Sequence, residues 1–227
     1  MTEEEWLECV NAEQIVAALP DATIPRRLHL LCVACCERFA PLLSEARSRQ
    51  AIDILGQYAD GAATDEELSA AQEAAADVYN ERCVAVGERY YLDPTAHAAS
   101  AVWNATISAW EALERMITLS EVAQSVLVAC VAAAPEPETE MAAQAALVRD
   151  IFGNPFRPIT LDPSWLTSTV ITLARTMYDT RDFSAMPILA DALADAGCGD
   201  DQVLSHCRGN GPHVKGCFVV DLFTGKS

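Results

Sequence analysis

The sequence predicts an all-α protein, a multi-helix globular domain of about eight to ten helices that ends in either a short strand or a short helix. Composition is the first observation, because 51% of the 227 residues are hydrophobic and only 10 are glycine. Strand-rich folds need more turn-forming and β-branched residues than this balance provides. The second observation is a repeated pattern of helix starts, marked by capping or acidic residues, and helix stops, marked by glycine or proline.

In the first half of the chain, helices are expected over residues 1–19 (one or two short segments), 25–43, 44–61 and 64–91. Pro25 suits the first position of its helix, where a backbone N–H is not needed. Ser44 is the predicted cap of the next helix. Thr64 and Glu67 have the spacing of a capping box, which indicates the start of a long helix.

In the second half, helices are expected over residues 94–116, 120–134, 138–152, 162–178, 187–196 and 200–207. Gly153 and Pro155 favour a sharp end to the helix before them, since glycine caps a helix and proline cannot continue it. The tail from Cys217 to Phe223 is apolar and β-branched. We expect it to be buried, either as a strand or as a short terminal helix.

These elements are expected to form a single helical domain over residues 1–227. The alternative is a subdivision near Pro135 and Pro137, because two prolines among acidic residues are typical of a linker.

The charge of the chain limits its partners. Lys and Arg total 15 against 33 Asp and Glu, for a formal net charge of -18. A surface this negative repels phosphate backbones and anionic lipid headgroups, so neither direct nucleic-acid binding nor membrane binding is expected. A protein partner is expected instead, and one alternative is that the protein acts as an acidic decoy that occupies a basic site on another protein.

The N-terminal residues predict a cytoplasmic location. They contain neither the basic nor the apolar segment of a secretory signal. The most apolar stretch, residues 122–134, is too short to cross a bilayer and indicates a buried helix. The chain has 9 cysteines, an odd number, which favours reduced thiols over a disulfide framework in this compartment.

The cysteine and histidine residues are the candidates for chemistry, because thiolate and imidazole bind zinc. One group lies near the C-terminus and a second lies near the start of the chain. We expect the loop of residues 209–217 to pack against the helix of residues 32–36, so that both groups supply ligands. The predicted metal ligands are Cys32, Cys35, Cys36, Cys207, His213 and Cys217.

A structural zinc ion is one interpretation of these residues, and burial without a metal is the other. Cys32 and Cys35 lie on the apolar stripe of their helix, where free cysteine packs as a small hydrophobe. In that case His213 would donate a hydrogen bond to a backbone carbonyl. The loop pattern His206-Cys207-x5-His213-x3-Cys217 could also fold its ligands around one tetrahedral ion. Against this, adjacent His206 and Cys207 cannot both easily face one ion from a helix.

Cys207, His213 and Asp221 could also act as a nucleophile, its base and the group that orients the base. Such triads are defined by geometry rather than by sequence position, so the three residues alone do not identify one.

Four segments of the chain resemble a large group of paralogous bacterial proteins for which no activity is established. They are MTEEEWL (residues 1–7), RLHLLCVACC (27–36), ALVRDIFGNPFRP (146–158) and HCRGNGPHVKGC (206–217). The resemblance covers nearly the whole chain and implies one co-folded unit. In the group a tryptophan usually follows the last cysteine, whereas this chain has Phe218 there. The resemblance implies no catalytic residue.

Three functions are therefore open. The leading hypothesis is a non-enzymatic interaction or regulatory module that is stabilised by its C-terminal Cys/His loop. The second is a small metal-dependent or thiol-dependent enzyme that uses Cys207, His213 and Cys217. The third is the acidic decoy.

If the thiols are reduced in the native protein, no disulfide is needed for folding. Thermal melting followed by circular dichroism should then be equally cooperative with and without a reductant. A cooperative transition that disappears when only the reductant is added would contradict this expectation.

Overall fold

A computed structural model describes residues 1–19, 25–107, 112 and 118–226. Within these residues the chain forms twelve α-helices and no β-strand, which confirms the all-α fold class. The helices are α1 (Glu3–Glu8), α2 (Ala12–Ala17), α3 (Pro25–Glu37), α4 (Ala46–Ala59), α5 (Asp65–Val86), α6 (Pro94–Ala105), α7 (Leu119–Ala133), α8 (Pro137–Phe152), α9 (Ser168–Thr180), α10 (Met186–Asp195), α11 (Asp201–Arg208) and α12 (Phe218–Thr224).

The chain divides into two compact units, Met1–Val148 and Arg149–Ser227. The boundary lies inside helix α8, so it does not coincide with the expected subdivision near Pro135 and Pro137. The expectation of a single co-folded domain stays a prediction.

In the N-terminal unit, α6 packs against α7, and α5 packs against both α4 and α6. The predicted capping box at the start of α5 is confirmed. The Thr64 hydroxyl accepts a hydrogen bond from the Glu67 amide, and the Glu67 carboxylate accepts one from the Thr64 amide. These two bonds satisfy amide groups that the helix itself leaves unpaired.

Several predicted boundaries in this unit differ from the structure. Helix α5 ends at Val86 rather than near residue 91, and a 3₁₀ helix follows over Gly87–Leu92. Helix α3 ends at Glu37, and a short 3₁₀ turn follows over Ala40–Leu42. The turn contains Pro41, which has no N–H to continue a helix. Helix α4 begins at Ala46, with Glu45 rather than Ser44 at the N-cap position. Helix α6 ends at Ala105, so the helix expected over residues 94–116 is shorter than predicted, and residues 113–117 lie outside the described residues.

In the C-terminal unit, α9 packs against α10 and α12, and α11 packs against α10. The helix expected from residue 162 begins only at Ser168, where the Thr167 hydroxyl caps it, and Pro163–Trp165 forms a separate 3₁₀ turn. The C-terminal tail is helix α12, so the strand alternative is wrong. A lone strand would leave its backbone groups unpaired in the core, whereas a helix pairs them internally.

The two units differ in charge. Residues 1–148 contain 24 acidic and 8 basic side chains, whereas residues 149–227 contain 9 acidic and 7 basic ones. Nearly all of the net charge therefore belongs to the N-terminal unit. Among the described residues, no helix combines the length and the apolar character needed to cross a membrane.

His29 is a buried histidine in the N-terminal unit. Its side chain lies edge-on to the Tyr58 ring, with 5.5 Å between the ring centroids, and its Nε2 atom has no hydrogen-bond partner. Burial lowers the pKa of His29 to about 4, against a smaller opposing effect from a hydrogen bond with the Ile107 backbone. The folded protein therefore holds this imidazole in its neutral form.

This burial predicts a loss of stability in acid. An unfolded histidine has a pKa near 6.5. Between that value and about 4 the unfolded state binds more protons at this site. The contribution of the neutral, buried His29 to the free energy of unfolding is complete above pH 6.5. Below that pH it falls by up to about 1.4 kcal/mol per pH unit. Urea unfolding of the wild type and of His29→Gln should show a stability difference that shrinks from pH 7 to pH 5. A difference that is constant over this range would contradict the prediction.

Candidate metal centre

Four side chains of the C-terminal unit converge on one point. Asp150, His206, His213 and Cys217 each offer one ligand atom, and all four atoms lie within 4.8 Å of one another. They come from three parts of the unit. Asp150 lies in the last turn of α8 and His206 in the last turn of α11, whereas His213 and Cys217 lie on the loop that leads into α12.

The carboxylate of Asp150 is the centre of the group. Its Oδ1 atom lies 3.0 Å from Nε2 of His206 and 3.0 Å from Nδ1 of His213. Its Oδ2 atom accepts a hydrogen bond from the backbone N–H of Val214 at 3.0 Å. One oxygen is therefore held by the loop backbone, and the other faces both imidazole rings.

Asp150 is ionised even though only 2% of its surface is exposed. Burial by itself would raise the pKa of Asp150. The hydrogen bonds from His206 and His213, together with the Val214 amide, outweigh burial and hold the pKa below its usual range. A buried carboxylate that stays charged is a good ligand for a divalent cation.

Cys217 completes the group. Its Sγ atom lies 3.2 Å from Nε2 of His206, and the residue is fully buried. Burial and the nearby charge of Asp150 raise the pKa of Cys217 well above its usual value, although the amides of Val219 and Val220 oppose the rise. The metal-free thiol is therefore protonated, and it would lose its proton on binding a metal.

Aromatic packing holds the two imidazole rings in place. The His206 ring lies 4.4 Å from the Phe218 ring and 4.8 Å from the His213 ring, measured between centroids. Gly153, which directly follows α8, lies close to the Phe218 ring. A Cβ atom at position 153 would lie only 3.1 Å from Cγ of Phe218, and the φ angle there is +65°. Glycine is therefore favoured at position 153 by both the backbone conformation and the short distance to the Phe218 ring.

The dimensions of the group suit zinc. Zinc bonds of about 2.0 Å to nitrogen or oxygen and about 2.3 Å to sulfur give ligand-to-ligand separations of roughly 3.3 to 3.5 Å in a tetrahedron. The shortest observed separations are 3.0 Å between Asp150 and each histidine and 3.2 Å between His206 and Cys217. Small side-chain shifts would place all four atoms around one ion.

Two of the predicted ligands, His213 and Cys217, belong to this group. The hydrogen bond expected from His213 to a backbone carbonyl goes instead to the Asp150 carboxylate. Cys207 is outside the group and packs in the hydrophobic core of the unit. Burial raises the pKa of Cys207 to about 12, which leaves it a poor nucleophile.

The other predicted ligands, Cys32, Cys35 and Cys36, lie on α3 in the N-terminal unit. All three are buried, and burial raises the pKa of Cys32 to about 12. None of them belongs to the four-residue group, which is complete within the C-terminal unit. A ligand set shared between the 32–36 helix and the 209–217 loop stays a prediction. All nine cysteines are free thiols.

Asp150 is the member that the sequence analysis missed. Asp150 has a detectable signal, since it is the one acidic residue in the apolar stretch that ends α8. His206 belongs to the candidate loop pattern but not to the set of predicted ligands. The side chains of His206 and Cys207 do diverge, as expected, but His206 rather than Cys207 faces the group.

Comparisons with protein-family models, with curated proteins and with solved structures give no match for this chain. The resemblance to the bacterial group therefore stays a prediction from the sequence.

The contact between Gly153 and Phe218 can be tested with a matched glycine. Gly197 also has a positive φ angle, +85°, but nothing lies within 4 Å of a Cβ atom placed there. Gly153→Ala and Gly197→Ala should share the cost of the backbone strain. Only Gly153→Ala should add the cost of crowding the Phe218 ring, about 1–3 kcal/mol. Urea unfolding measures both variants, and an equal loss of stability would show that the ring contact does not matter.

Proposed function

We propose that this protein is a non-enzymatic interaction module whose C-terminal unit is stabilised by one structural zinc ion. The observation that carries the proposal is the convergence of Asp150, His206, His213 and Cys217, with four ligand atoms within 4.8 Å. A small unit benefits from such a clamp, because the free energy of metal binding adds to the free energy of folding.

The ligand types favour zinc over other common ions. One thiolate and two imidazoles are soft or borderline donors, which magnesium and calcium do not select. Zinc accepts sulfur, nitrogen and carboxylate oxygen together in a tetrahedral arrangement.

The arrangement supports a structural ion rather than a catalytic one. Catalytic zinc sites keep one position open for water or substrate, whereas structural sites use four protein ligands. Here four protein ligands are present, and three of them are largely buried. The exposed fractions of the side chains are 1% for Asp150, 9% for His213 and 20% for His206, and Cys217 is fully buried. His206 is the most exposed of the four side chains.

The role in protein binding is supported by exposed apolar side chains on the N-terminal unit. Val84, Tyr91 and Leu92 are 83%, 59% and 65% exposed, and they lie within nine residues at the end of α5 and in the 3₁₀ turn that follows. Large apolar side chains grouped on a surface mark an interaction site more often than scattered ones do. The charge of the same unit favours a basic partner.

Zinc binding can be tested on protein that is expressed without a histidine tag. Elemental analysis should give one zinc per chain, and a chelator should lower the melting temperature. Cys217→Ala should lose the zinc, because the thiolate ligand is removed. The matched control is Cys207→Ala, which removes a thiol that is also fully buried in this unit but lies outside the group. This variant should keep one zinc per chain.

Cobalt substitution provides a second readout, since a tetrahedral cobalt–thiolate site absorbs in the near ultraviolet and in the visible range. The wild type and Cys207→Ala should show these bands, and Cys217→Ala should lack the thiolate band. Substoichiometric zinc in the wild type, with a melting temperature that chelation does not change, would refute the proposed site.

A further inference from the structure

From the position of the ligands we infer that the metal controls the docking of the C-terminal helix α12, so that the unit has a closed metal-bound form and an open metal-free form. This inference rests on the proposed zinc site and adds regulation to it. It concerns residues 209–226, whose described structure depends on the ligand group at one end and on the hydrophobic core at the other.

The first step is the connection between the ligands and α12. Cys217 is the residue immediately before the helix, and Phe218, its first residue, packs against the ring of His206. His213 lies four residues before Cys217. Asp150 and His206 belong to α8 and α11, which are outside the segment. An ion bound by all four would therefore fix the start of α12 to two other helices.

The second step is the weakness of the segment without such a link. Helix α12 has only 7 residues, fewer than an isolated helix needs to be stable in water. The loop before it contains Gly209, Gly211 and Gly216, which give the unfolded segment many conformations. The folded loop must therefore be held by contacts outside itself.

At the ligand-group end of the segment, the described contacts are hydrogen bonds and a thiol contact, and Lys215 and Lys226 also lie over the Tyr178 ring. The carboxylate of Asp150 accepts hydrogen bonds from the His213 ring and from the Val214 amide, and His206 contacts the Cys217 thiol. Each hydrogen bond contributes little net free energy, because water replaces it when the loop opens. A metal ion would replace the ring and thiol contacts with coordinate bonds. When the loop opens, water does not replace these bonds as well as it replaces hydrogen bonds.

The third step is what an open form would expose. Val219 and Val220 are fully buried, Phe223 is 3% exposed, and all three pack in the core of the C-terminal unit. Helix α12 packs mainly against α9, whose buried face includes Met177 and Tyr178. Release of α12 would expose this apolar surface on both helices. Metal loss would thus create an apolar surface that the closed form hides.

Hydrogen exchange measured by mass spectrometry tests the inference on the wild-type chain of 227 residues, with zinc sulfate and with a chelator. If the open form does not bind zinc, free zinc at a hundred times its Kd should slow exchange in residues 218–224 by roughly a hundredfold. Amides of α10 (Met186–Asp195), in the same unit, should change by a much smaller factor. Native mass spectrometry of the same samples should show the zinc-bound chain.

The outcomes separate the inference from the proposed function. If zinc binds at one per chain but exchange in α12 is unchanged, the ion is present and the regulation is refuted. If α12 and α10 are slowed by the same factor, the metal stabilises the whole unit and does not control docking, which also refutes the inference. If no zinc binds, the proposed function itself fails. Cys207→Ala should reproduce the wild-type response, and a loss of the response in this variant would also contradict the inference.

Discussion

The C-terminal unit depends on one buried negative charge. The Asp150 carboxylate has almost no contact with solvent, and a charge in that position is stable only if neighbouring groups replace the water. Two imidazoles and one backbone amide do so, with His206 at the end of α11 and His213 and Val214 in the loop before α12. The end of α8, the end of α11 and the loop before α12 are thereby brought to a common point, and the shape of the loop follows from that requirement.

The apolar packing around Asp150 helps to position the side chains that contact its carboxylate. Gly153 ends α8 with a left-handed residue and leaves room for the Phe218 ring. That ring supports His206, which lies against His213. Apolar packing and the polar group are therefore not separate features, because the side chain that fills the space beside Gly153 is also the one that orients an imidazole.

Much of the helical framework could be predicted because its signals are local. The capping box of Thr64 and Glu67 and the glycine that ends α8 involve residues a few positions apart, so the sequence shows them directly. The early end of α3 is less evident in the sequence, because the apolar pattern continues past Glu37 and only Pro41 interrupts it. Whether the tail forms a strand or a helix depends on whether a neighbouring strand is available to pair with it. That is a property of the whole fold and not of the local sequence.

The candidate site was predicted only in part because its members are distant in sequence. His213 and Cys217 stand in a glycine-rich loop among other cysteines, and composition alone drew attention to them. Asp150 lies 63 residues before His213, and their contact depends on how α8 and α11 are placed. The abundance of cysteines does not identify the members of the group, since Cys32, Cys35, Cys36 and Cys207 are buried side chains that lie outside it.

The net charge of the four candidate ligands is also defined. With Asp150 ionised and Cys217 deprotonated, two negative charges would face the ion, while both histidines bind as neutral rings. A divalent ion makes the sum zero, so the filled site can be enclosed in the core with little loss of solvation energy. A monovalent ion would leave one unit of negative charge buried, and a trivalent ion would leave one positive. If the proposed site is filled, the four side chains would therefore select an ion by its valence as well as by its preferred donor atoms and geometry.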